Sequence, residues 1–144
     1  MELAAALSVS KERRLETMAQ GRAFMTATNA AWPYAPVPGL SLKDEEVAYP
    51  VAVGLAAARH RIALGDSLHA YLHAFAANLI SAGVRAIPLG QTDGQNTLAG
   101  LEPTITEVAE TAEDAPLARL GGCAMLTDIA SMRHETQYTR LFRS

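Results

Sequence analysis

Apolar residues along this chain recur at intervals of three and four, and runs with a period of two are absent, which predicts helix wherever proline does not intervene. Ser10-Lys11-Glu12-Arg13 reads as an N-cap and first turn. Leu15, Met18, Arg22 and Met25 follow at helical spacing, so a helix is expected over 10–31. Tyr49-Pro50-Val51-Ala52-Val53-Gly54 opens another over 48–61, with Pro50 in the first turn, where its missing N–H would have had no partner. Gly65 is placed in the connection that follows. Asp66 is then the expected N-cap of a long helix over 66–87, with Leu68, Tyr71, Leu72, Phe75 and Leu79 on one broad face and Pro88 beyond its end. Thr92 and Gln95 have capping-box spacing, and Leu98, Leu101, Ile105, Val108 and Ala112 carry the period through 93–113, with Pro103 as a point for a kink. A short helical piece is expected between Leu117 and Ile129, broken at Gly121-Gly122.

Trp32-Pro33-Tyr34-Ala35-Pro36-Val37-Pro38-Gly39 fixes φ at three prolines and removes three backbone donors, so it is an extended connector. The expected fold is therefore all-α: a single-domain helical bundle of about four to six helices over 1–144, with a polar C-terminal tail over 131–144 that has no core-forming period. With 144 residues, 49% of them hydrophobic, the chain is long enough for one modest core. A net charge of -3, with acidic and basic residues interleaved, gives none of the positive surface that nucleic-acid phosphates need. One cysteine excludes an intrachain disulfide. Residues 1–10 lack the regions of a signal peptide, and Arg59, His60, Arg61, Asn78 and Arg85 break the apolar stretches below the length of a membrane span. A soluble, cytoplasmic protein is expected.

His69 and His73 stand four apart and share one side of the 66–87 helix, the spacing of a two-histidine metal site, but no acidic residue completes an HExxH pattern. They are weak metal candidates. Cys123, in a glycine-flanked apolar turn, reads as a small buried residue and not as a nucleophile served by His134. Pro88 to Gln95 carries glycines into a helix start without a lysine or a phosphate-loop pattern, and Asp93 itself takes the favourable anionic position there. Arg85 suits either the last carbonyls of its own helix or a partner's carboxylate. The tail sets Arg133, Arg140 and Arg143 among Tyr138 and Phe142 against the single Glu135. Arginine and aromatic residues anchor protein interfaces, so the tail reads as a binding segment.

Three stretches together resemble one known family. Tyr49 to Gly54, Pro88 to Gln95, and above all Ile129-Ala130-Ser131-Met132-Arg133-His134-Glu135-Thr136-Gln137-Tyr138-Thr139-Arg140-Leu141-Phe142-Arg143-Ser144 are similar, in this order, to the C-terminal part of the urease accessory protein UreF family. The resemblance implies an all-helical, non-catalytic protein without a cofactor of its own. Its implied partners are the accessory protein UreD (also called UreH), the GTPase UreG and the urease apoprotein, on which nickel insertion takes place; a homodimer is a further expectation. By the same resemblance Arg85 occupies the position of a basic residue that contacts the GTPase. The tail, with Arg133, His134, Glu135, Tyr138, Arg140, Phe142 and Arg143, corresponds to the segment that orders against UreD. The family's further N-terminal helices and its Gly/Ser-rich motif ending in Gly-Leu-Glu have no match before Ser10, so the chain is expected to be N-terminally shortened. The alternatives are a small helical metallochaperone holding nickel through His69, His73 and His134, and a non-functional fragment.

Overall fold

The computed structural model describes residues 2–34 and 47–138. Among these residues there are six α-helices, one short 3-10 turn and no strand: α1 (Glu2–Ala6), α2 (Lys11–Ala31), α3 (Tyr49–Arg59), α4 (Leu64–Ala86), α5 (Gln91–Glu113) and α6 (Met125–His134), with the turn at Leu117–Arg119 before α6. The chain is all-helical, as the spacing of its apolar residues predicts. It divides into two compact units, one formed by Met1–His60 with Gly121–Ser144 and the other by Arg61–Leu120.

In the first unit α2 begins as expected. Ser10 is extended, and its hydroxyl accepts from the Arg13 N–H at 3.2 Å, satisfying one of the donors a helix start leaves open. The buried stripe of α2 differs from the expected row. Leu15 and Arg22 are exposed, and Gly21 and Met25 are the buried positions. The reason is the partner surface. Gly21 lets the backbone at Val47 come so close that a Cβ on residue 21 would lie 1.9 Å from the Val47 carbonyl oxygen. Met25, Val47 and Ala52 form the core there, with Phe24, Val51 and Leu55 packed around them. On α3 the buried residues are Ala52, Ala56 and Ala57, small side chains that let two helices approach closely. The start of α3 is tied to α2 by the Tyr49 N–H, which donates to Thr17 Oγ1 at 3.2 Å, and by an edge-to-face contact of Phe24 with Tyr49 at 5.7 Å. At the other end the Arg59 guanidinium lies over the Tyr34 ring, 3.8 Å from its centroid, and donates to the Tyr34 hydroxyl. Of the expected proline-bearing connector, 32–34 are described and the remainder lies outside the described residues.

The second unit is the helical pair α4 and α5. α4 starts at Leu64, two residues before the expected cap. Asp66 is an acid in the first turn and not the N-cap, and Gly65 lies inside the helix. The left-handed residue just before α4 is Arg61, with φ +58°. The start of α5 likewise differs from the Thr92–Gln95 expectation: Gly90 is the N-cap, and its N–H donates to Asp93 Oδ2 at 3.2 Å. Asp93 does hold the acidic first-turn place favoured by the helix dipole. α5 runs unbroken through Pro103.

The broad apolar face expected on α4 is only partly covered: Leu68, Tyr71 and Leu72 are half-buried. Ile80 and Val84 meet Gly94, where a Cβ would come 2.9 Å from Val84 Cγ2, while Phe75 and Leu79 stay largely exposed. On the α5 side Gly94, Ile105 and Ala109 are buried, and Leu101 and Val108 are exposed. No helix among the described residues is long and apolar enough to cross a membrane.

Candidate functional site

The tail segment begins as helix. α6 carries Ser131, Arg133 and His134, and Glu135 is its C-cap. Three side chains from this stretch meet three consecutive residues at the start of α2. The Ser131 and Ser10 hydroxyls are 2.8 Å apart, Glu135 Oε1 accepts from the Lys11 N–H at 2.6 Å, and His134 Nδ1 lies 2.6 Å from Glu12 Oε2. Ser10, only 7% exposed, is the one buried polar side chain among the described residues. Its hydroxyl is satisfied by Ser131 together with the Arg13 N–H. Glu135 thus supplies from 124 residues away what a local acid supplies at other helix starts: a carboxylate on a free N–H, at the positive end of the dipole.

Arg133 and Tyr138, by contrast, are exposed, and Tyr138 is 98% exposed. Arg140, Phe142 and Arg143 lie outside the described residues. Cys123, expected to be buried, is exposed: residues 120–124 run without helix and are exposed throughout.

Arg85, in the last turn of α4, is exposed and donates to Ser81 Oγ at 2.9 Å, one turn back on its own helix. That contact leaves most of its donors facing solvent. His69 and His73, also on α4, are brought together by a residue that sequence spacing had no means of supplying. Glu102 of α5 takes His73 Nδ1 on one oxygen at 2.7 Å and His69 Nε2 on the other at 3.5 Å, and Thr106 Oγ1 lies 3.4 Å from the same His69 nitrogen. The carboxylate thus engages Nδ1 of one ring and Nε2 of the other. Among the described residues no group of three or more His, Cys, Asp or Glu side chains is arranged to hold a metal ion. The pairing crosses half-exposed surface, where such contacts contribute about 0–1 kcal/mol.

The UreF family model matches residues 1–102. The chain belongs to the UreF family. Three relatives named urease accessory protein UreF align over 99% of this chain: the protein of Rhodopseudomonas palustris strain HaA2 at 52% identity, that of Bradyrhizobium sp. strain BTAi1 at 53%, and that of Bradyrhizobium diazoefficiens at 49%. The chain spans 60–61% of the length of these UreF proteins. The family match ends within α5, but the alignments with whole UreF proteins cover nearly all of the chain, the tail's stretch included.

Sequence reasoning missed Glu102, Glu12, Ser10 and Lys11 as partners of the candidate residues. For Glu102, a faint signal existed. It recurs in register with Ile105 and Ala109, the buried positions of α5, which sets it beside the face that packs. Nothing local marks Lys11 or Glu12 as the seat of a segment more than 120 residues away.

Proposed function

We propose that this chain is a non-catalytic, cytoplasmic binding scaffold of urease maturation, which joins UreD (UreH) and the GTPase UreG on the urease apoprotein so that nickel reaches the active site. The observation that carries this reading is Tyr138: an aromatic side chain 98% exposed, at the root of a segment rich in arginine, in a member of the UreF family. Tyrosine and arginine are the residue types that dominate binding energy at protein interfaces. A segment that orders on binding loses affinity to its ordering but can wrap a partner through a few such anchors. In this reading Tyr138 and Phe142 anchor the UreD contact, and Arg133, Arg140 and Arg143 set its register. Exposed Arg85 on α4 serves the GTPase.

The test is co-purification from cells expressing the chain with UreD and UreG. Deletion of residues 138–144 leaves α6 and its contacts with α2 in place and is expected to abolish recovery of UreD. Full recovery of UreD with that deletion refutes the tail assignment. Arg85→Ala is expected to lose the GTPase while keeping UreD. Against the metallochaperone alternative stands the use already made of its three histidines: His69 and His73 are turned to Glu102, and His134 to Glu12.

A further inference from the structure

We draw no further inference here: the strongest candidate, the exposed apolar patch of Met125, Leu126, Ile129 and Met132 on α6, carries none because nothing in the structure shows what covers it.

Discussion

Gly21 sits mid-way along α2, and there two ordinary expectations have opposite signs. Replacing a helical glycine with alanine removes backbone freedom from the unfolded chain and normally stabilises by about 1 kcal/mol. At Gly21 the added methyl would lie 1.9 Å from the Val47 carbonyl oxygen and 2.9 Å from its carbon, both backbone atoms that no rotamer change can move. Reaching a normal contact requires the 47–48 backbone to retreat by about 1 Å or more. Val47 and Ala48 are fully buried, and Val47 packs on Met25 and Ala52, so the retreat opens the centre of the first unit. Overpacking of this kind costs about 1–3 kcal/mol, and partial loss of a buried valine adds about 1 kcal/mol more. Set against the propensity gain, Gly21→Ala is expected to destabilise by about 1–3 kcal/mol. Gly54 in α3, in the same unit, has nothing within 4 Å of the place an added methyl would take, and Gly54→Ala should instead stabilise by about 0.5–1 kcal/mol. Urea unfolding followed by circular dichroism at 222 nm, with equal slopes required for the comparison, measures both. The packing argument is refuted if Gly21→Ala unfolds at the same or higher urea concentration than the parent chain, or if the two variants shift in the same direction.

In the second unit, Gly94→Ala meets only the methyl ends of Val84 and Ile80, at 2.9 and 3.3 Å, so side-chain adjustment should hold its cost to about 1 kcal/mol, well below that of Gly21→Ala in the same urea assay. Arg61, at φ +58°, should accept glycine with no loss and up to about 1 kcal/mol of gain, while Arg61→Val should lose about 1–2 kcal/mol; equal midpoints for the two would contradict the left-handed assignment. A calorimetric nickel titration of the chain should show no tight stoichiometric binding that His69→Ala/His73→Ala removes, because both rings are engaged by Glu102 and no group of three ligands is arranged for a metal among the described residues; such binding would restore the carrier reading.

The existence and type of every main helix are legible from the sequence because a 3.6-residue period and two proline-bearing connections are local signals. Their starts are less so, and the misplacements share a cause. Residue type points to Asp66 and Thr92 as caps, but a capping residue is defined by backbone conformation. At Gly90 that conformation comes with a carboxylate three residues on, so residue type identifies the acid correctly and misses the cap. The buried faces differ from expectation in a similar way. An apolar row marks the side that can be buried, whereas in α2 and α5 the closest approach is made by Gly21 and Gly94, which carry no apolar weight at all.

The candidate site is legible only in its outward half. Residue type marks Arg133 and Tyr138 for interface chemistry, and both are exposed. His134 and Glu135 fall in with them because nothing in a linear tail separates a residue that faces a partner from one that faces the chain's own fold. Their use is fixed by a structural demand elsewhere: α2 presents free N–H groups and a buried serine hydroxyl, and these require acceptors. Once Glu135 and Ser131 meet that demand, helical geometry leaves Met125, Ile129 and Met132 no place but the outside, at a cost in exposed apolar surface. That cost has no offset within the described residues. Leu126→Lys/Met132→Lys separates the possibilities. A chain whose stripe serves only to be covered by a partner should lose partner affinity while its own urea midpoint stays within about 0.5 kcal/mol of the parent, whereas a stripe that packs internally should lose stability first.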